Sequence, residues 1–209
     1  MSKLRDSWNA FSPDISAAYL KTFGHPSLDS KLVLADVLAE AAGGRRIEVM
    51  ELGCGNGQLA EYLFGHGLNC TYTGVDFSEP LLEAGRKVFA GNERVRFISG
   101  DIEVLDNISG RFDFVIYSHV IEMLASPERS LRAARRFTDR ILIRFFEPPD
   151  FDNTTVELQE MNLGKGPVPY VRWKMGRNFY RLILAELGAT RVDVYRTPTK
   201  DQVHVLHFV

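Results

Sequence analysis

Three carboxylates recur at equivalent places in the chain. Glu51 stands directly before Leu52-Gly53-Cys54-Gly55-Asn56-Gly57, Asp76 ends the run Gly74-Val75-Asp76, and Asp101 follows Ile98-Ser99-Gly100. Each comes after a short apolar run that reads as a strand, so each is expected at a strand's C-terminal end. Open α/β sheets place their ligands at that rim. The glycines permit a tight strand-to-helix turn with close approach of a ligand to the backbone, and the helix that follows presents free amides. A glycine turn alone is ambiguous, because Gly55-Asn56-Gly57-Gln58-Leu59-Ala60 also fits a loosened dinucleotide-binding pattern. Glu51 breaks the tie. A carboxylate on a buried strand is costly unless a cation or hydrogen-bond donors meet it, and it would repel a pyrophosphate. Its structural alternative is an ion pair with a lysine or arginine from the N-terminal helices.

The other two acids extend the argument. Asp76 lies about 20 residues past the glycine turn, a spacing suited to accepting from ribose hydroxyls, with Phe77 placed to pack on an adenine ring. Its alternative role is to cap the helix that begins near Glu79. Asp101 can accept from an exocyclic amine while the Ile102 amide donates to the same ring. A positively charged nucleoside satisfies all three positions, and S-adenosylmethionine carries both an ammonium and a sulfonium.

The elements that must hold these residues alternate. Strands are expected over 47–52, 71–76, 94–99, 112–118 and 140–146, with helices over 58–65, 79–90 and 127–137 and a looser link over 101–110. Such alternation builds a parallel sheet with helices on both faces. Upstream, Leu28, Leu32, Ala35, Leu38 and Ala39 recur at helical spacing between a Ser27 cap and Gly43-Gly44. A shorter helix over 15–22 breaks at Gly24-His25-Pro26. Downstream, a helix over 176–187 precedes strands over 190–196 and 203–209, which a short loop makes antiparallel neighbours. The stretch 147–175, with Pro148, Pro149, Pro167 and Pro169, reads as an irregular substrate-side cover with a short helix near 156–163. The expected fold is therefore α/β, three-layered and Rossmann-like, with a mostly parallel seven-stranded sheet ending in an antiparallel hairpin. Within one domain, 1–45 is a helical cap, 46–147 the cofactor-binding core, 148–175 the insertion and 176–209 the C-terminal helix and hairpin.

The 209 residues, 45% hydrophobic and 25% charged with a formal net charge of −2, suit a single soluble domain. That charge gives no strong positive field for nucleic acid or anionic membranes, so neither is an expected partner. Leader and spanning segments are not expected. Cys54 and Cys70 read as reduced, partly buried thiols of a cytoplasmic protein.

The segments ELGCGNG, GVDFSEPLLEAGRK, FISGDIE and FDFVIYSHVIEML, in that order over 46–146, resemble successive motifs of class I S-adenosylmethionine-dependent methyltransferases. The terminal hairpin extends the likeness. The resemblance implies that Glu51, Gly53, Cys54, Gly55, Gly57, Asp76, Phe77, Asp101, Ile102 and Ser118 line S-adenosylmethionine and its product S-adenosylhomocysteine. Asn56 stands where many relatives have a small hydroxyl residue. By the same likeness, 116–122 faces the transferable methyl group. It lacks the Asn/Asp-Pro-Pro-Tyr/Phe sequence of enzymes that methylate exocyclic base amines or glutamine amides. His119 is the candidate general base, its alternative being a hydrogen bond to nearby backbone or loop. Met123 replaces the second histidine of a related pattern, so no metal is expected. Tyr19 and His25 in the cap, Arg144 on the fifth strand, and Tyr170 and Trp173 in the cover are the substrate-side candidates. Arg144 has two readings, an acceptor's carboxylate or phosphate or a pair with Glu147, while Trp173 could equally bury under the final helix. Asp113, at the opposite end of its strand, is expected to be structural. The expected activity is methyl transfer to oxygen or nitrogen of a small molecule, in the manner of bacterial natural-product or saccharide pathways. The competing classes are a cofactor-binding regulator, a protein or RNA methyltransferase and, more distantly, an NAD-dependent dehydrogenase.

Overall fold

The computed structural model describes residues 29–162 and 167–209. Tyr19, His25 and the helix expected over 15–22 lie outside the described residues. Helix α1 (Asp29–Ala42) is followed by β1 (Ile47–Leu52), α2 (Gln58–Gly65), β2 (Cys70–Asp76), α3 (Glu79–Val88) and β3 (Val95–Ser99). Then come β4 (Phe114–Ser118), a 3₁₀ turn (Ile121–Met123), α4 (Pro127–Arg135) and β5 (Arg140–Phe145). The hairpin β6 (Thr155–Asn162) and β7 (Pro167–Lys174), helix α5 (Arg177–Leu187), and strands β8 (Arg191–Arg196) and β9 (Gln202–His207) complete it.

The main sheet has seven strands in the order β3-β2-β1-β4-β5-β9-β8. The first five are mutually parallel, whereas β9 pairs antiparallel with both β5 and β8. The chain reverses direction across the sheet between β1 and β4, a topological switch point whose C-terminal crevice is where such sheets bind ligands. The central strands are buried on both faces, which is why β1, β4 and β5 read as near-continuous apolar runs. Met50, Leu52, Val115, Tyr117, Ile141 and Ile143 pack on the face covered by α4 and α5. Ile47, Val49, Phe114, Ile116 and Leu142 pack on the face covered by α1 and α2. The period of two puts Glu51 on this second face.

Asp113 is structural, as expected: Oδ1 accepts from Arg45 Nη2 at 2.8 Å and Oδ2 from the Glu48 amide at 2.8 Å, at the N-terminal end of the sheet. Both thiols are free and buried. No described helix is long and apolar enough to cross a membrane.

One expectation is corrected. The segment expected to be irregular, with a helix over 156–163, is an antiparallel hairpin in which Val156 pairs with Trp173 and Leu158 with Val171. The side chains of 155–160 alternate faces, a strand period, and Pro167 and Pro169 are tolerated because both strands of a two-stranded sheet are edges. Trp173 takes its packing role. Its ring stacks on Phe179 of α5, 5.7 Å between centroids, and Nε1 donates to the Leu124 carbonyl at 2.7 Å.

The glycine turn is sterically fixed. Gly57, the residue before α2, has φ 80°, and a Cβ there would lie 2.7 Å from the Phe97 ring. Gly57→Ala is expected to destabilise the fold by about 2–4 kcal/mol, left-handed strain and overpacking together. At Gly110 φ is 92° and a Cβ meets nothing within 4 Å, so Gly110→Ala should show the strain alone. Urea unfolding of the two variants separates the contributions; equal losses would refute the crowding at Gly57.

Candidate active site

The glycine turn and the second strand end are built as one unit. Gly53, with φ 72°, donates its amide to the Val75 carbonyl at 2.8 Å. A Cβ there would sit 2.5 Å from Val120 Cγ2, so the missing side chain lets the loop after β4 close against the turn. Gly55 donates its amide to Asp76 Oδ2 at 2.8 Å, while Asp76 Oδ1 accepts from the Ser78 amide at 2.8 Å. The cap position of α3 is Ser78, so Asp76 does not cap the helix; it ties the glycine turn to the β2 rim and holds the Ser78 amide just before the helix. The Phe77 amide also acts on this carboxylate, which still has acceptor capacity for a ligand hydroxyl. Burial raises its pKa against the pull of those backbone amides.

Glu51 is buried beside this turn and accepts from the Tyr72 hydroxyl. Burial pushes its carboxyl up to about 8, opposed by that hydrogen bond and by the charges of Arg144 and Lys31. The cation from the N-terminal region weighed as a partner is therefore present electrostatically, as Lys31 of α1. The Cys54 side chain is buried in the core, with Sγ 3.5 Å from the Gly55 carbonyl. Phe77 is half-buried at the rim. Asp101 accepts the Glu103 amide at 2.9 Å, and Ile102 is buried, its carbonyl accepting from Ser130 Oγ at 2.7 Å.

At the end of β4 a polar chain links four elements. Ser118 Oγ accepts from Arg144 Nε at 3.0 Å, and Arg144 Nη1 donates to Ser30 Oγ at 3.1 Å. Ser30 donates to Asp201 Oδ2 at 2.7 Å, and His119 Nε2 lies 3.0 Å from the same oxygen. Burial works against the Asp201 charge, but the hydrogen bonds from His119 and Ser30 together hold its carboxyl below the usual range. An ionised carboxylate can only accept, so His119 Nε2 carries the proton and Nδ1 keeps its lone pair. Burial lowers the His119 pKa to about 4, outweighing Asp201 and aided by Arg144 and Arg172. The ring is held in a left-handed backbone conformation, φ 58°, with its amide donating to the Arg144 carbonyl at 2.9 Å. Non-glycine residues in such conformations concentrate at functional sites.

Neither reading of Arg144 survives unchanged. It is buried within the Ser118–Ser30 link, and Glu147 instead faces Arg172 and Lys200. Tyr170 donates its hydroxyl to Gln159 within the β6–β7 hairpin at 2.8 Å. Tyr72, Ser30 and Asp201 carried no motif. Asp201 is 82 positions from His119 and 171 from Ser30, separations that only the folded sheet brings together.

These features define a class I methyltransferase fold: a switch-point crevice, a glycine turn and acids on successive strand ends. The Methyltransferase domain family matches residues 50–140. A malonyl-[acyl-carrier protein] O-methyltransferase of Paenibacillus sp. (strain JDR-2) is 22% identical over 74% of this chain and 59% of its own length. A ubiquinone biosynthesis O-methyltransferase of Coxiella burnetii is 32% identical over 40% of this chain and 36% of its own. The chain thus spans about three-fifths or less of these curated relatives. The solved DhpI–SAH complex superposes with a TM-score of 0.72 at 18% identity, covering 99% of this chain and 98% of that one. Residues 50–140 match the Methyltransferase domain family, and the fold around them is that of class I S-adenosylmethionine-dependent methyltransferases. The donor set fits that cofactor: a buried Glu51 lifted to about 8 is a site whose charge a bound cation would stabilise.

Proposed function

We propose that this protein transfers the methyl group of S-adenosylmethionine to an oxygen or nitrogen of a small-molecule acceptor. The observation that carries the reading is the buried Glu51 carboxylate set against a glycine turn that Asp76 clamps. Glu51 serves the cofactor's ammonium, Asp76 the ribose hydroxyls, and Asp101 with the Ile102 amide the adenine. Gly53, Gly55, Gly57 and Cys54 give backbone contacts, while Phe77 and Ser118 line the walls. The methyltransferase relatives named for ubiquinone biosynthesis and malonyl-acyl carrier protein support a metabolic acceptor. A bacterial natural-product or saccharide acceptor fits the same reading.

S-adenosylmethionine supplies a carbon already activated by positive sulfur. Alignment of the acceptor can therefore provide much of the acceleration. His119 takes the acceptor's proton at Nδ1, and Asp201 fixes its tautomer and orientation, acting as a positioning residue. His119→Ala is expected to lower kcat by about 100-fold or more, the range of a lost general base. Asp201→Asn should give a smaller loss with the affinity for S-adenosylhomocysteine preserved. Because burial holds His119 near 4, the base is neutral at ordinary pH, and kcat should stay flat down to about pH 5 before falling. Turnover of His119→Ala close to wild type would leave alignment as the mechanism. The function itself is tested by titrating S-adenosylhomocysteine calorimetrically and screening acceptors with methyl-labelled cofactor. Binding of NAD without S-adenosylhomocysteine would overturn it.

A further inference from the structure

The arginine singled out for an acidic acceptor, Arg144, has its donors engaged, but a second arginine does not. Arg172 on β7 is 7% exposed, and its Nε and Nη2 have no hydrogen-bond acceptor among the described residues. These two nitrogens form one edge of the guanidinium, the fork that grips a carboxylate or phosphate through two parallel N–H bonds. Buried guanidinium N–H groups left without acceptors are costly, which makes the unpartnered edge informative.

The surroundings place that edge beside the reaction. Arg172 lies over the Phe146 ring, 4.3 Å from its centroid, and the His119 ring meets the same Phe146 edge-on at 5.6 Å. Lys200 Nζ sits 4.0 Å from that ring centroid. The facing anion, Glu147, does not fill the fork. Its Oε2 is 3.9 Å from Arg172 Nε, beyond hydrogen-bonding distance, and its Oε1 goes to Lys200 at 3.4 Å. One carboxylate is thus divided between two cations. Two other acids lie nearby: Glu157, opposite Arg172 across the hairpin, gives its oxygens to Lys174 Nζ at 2.8 Å and Gln159 Nε2 at 3.1 Å, and Glu122 gives Oε1 to the amides of Phe146 and Glu147 at 2.8 Å each. Burial lifts Glu122 to about 7, so it offsets only part of the Arg172 charge.

We propose that the acceptor carries an oxyanion, a carboxylate or a phosphate, held by the Nε–Nη2 edge of Arg172 while its nucleophilic atom reaches past Phe146 toward His119. This rests on the methyl-transfer reading and narrows its substrate class.

The test uses the full chain loaded with S-adenosylhomocysteine and matched probes in isothermal titrations. The pairs are 4-hydroxybenzoate against 4-hydroxybenzamide, glutarate against glutaramide, and glucose 6-phosphate against glucose. At least one anion should bind tenfold or more tightly than its neutral partner, and which one does separates carboxylate from phosphate. Arg172→Gln should abolish that preference while leaving S-adenosylhomocysteine affinity within twofold. Arg172→Lys, which keeps charge but loses the fork, should weaken the anion at least fivefold; it decides the matter if Arg172→Gln does not fold. Equal binding of every anion and its neutral partner, or a preference that survives both substitutions, would overturn the proposal. Failure of the wild type to bind S-adenosylhomocysteine would defeat the methyltransferase reading instead.

Discussion

Asp76→Ala is expected to weaken S-adenosylhomocysteine binding by about 100-fold or more with the fold retained. Hydrogen bonds to a charged group are worth about 1.5–3 kcal/mol each, and two ribose hydroxyls on one carboxylate place the loss in that range. The structure adds a second route to the same loss, because Asp76 also receives the amides of Gly55 and Ser78. Removing it frees the glycine turn as well as the ribose. Asp76→Asn separates the two, since the amide oxygen can still hold one backbone donor while the charge is gone. If Asn binds nearly as well as Asp, the clamp matters more than the ribose contact. Titration calorimetry with a circular-dichroism check reads both variants, and unchanged affinity in Asp76→Ala would remove the residue from the site.

The second large effect concerns Glu51 and pH. Its carboxyl is held at about 8 in the free protein, so at neutral pH it is largely protonated. A cation bound beside it favours the carboxylate, and binding must then expel a proton. The sign follows: affinity should rise with pH, by about tenfold per unit well below 8, and level off above it. Glu51→Gln should abolish that slope and weaken binding on the order of tenfold or more at pH 8, where the wild-type carboxylate is half formed. Comparing titrations in buffers of different ionisation enthalpy counts the proton released, with Glu51→Gln correcting for titration of the cofactor's own amine. A wild-type affinity that is flat from pH 6 to 8 would show that Glu51 does not meet the cation.

The parallel half of the fold was legible because its signals are local. β1, β2, β3 and β5 agree with the expected spans to within a residue at each end, and β4 starts two residues late, after Asp113 has turned away to Arg45 and Glu48. Helices α3 and α4 each end two residues early, at Val88 and Arg135. The β6–β7 hairpin is hard to read from sequence because prolines and alternating acids obscure its period of two, and its burial runs against side-chain polarity: Val156 and Leu158 are exposed while Arg172 is buried. The acids at the strand ends were legible since each follows its own strand. Their partners were not. Tyr72 reaches Glu51 only because β1 and β2 lie side by side in register, and the Ser30–Asp201–His119 link joins the first described helix to the final hairpin. Such contacts leave no periodic trace. The same blindness favoured Arg144, which sits on a strand end, over Arg172, which sits in the segment that looked structureless.

The position of β9 has a consequence for how the protein comes into being. It is the last described strand in chain order, yet it lies inside the sheet, between β5 and β8, and the loop before it carries Asp201. A chain emerging from the ribosome can assemble its five parallel strands early, since domains acquire structure from the N-terminal side during synthesis. The cofactor crevice is then nearly complete while β5 still presents an open edge and His119 has no carboxylate to orient it. Only translation through residue 207 closes both at once. Under the proposed function, a nascent chain stalled after α5 would bind cofactor but lack an oriented base, and it would carry a sticky sheet edge.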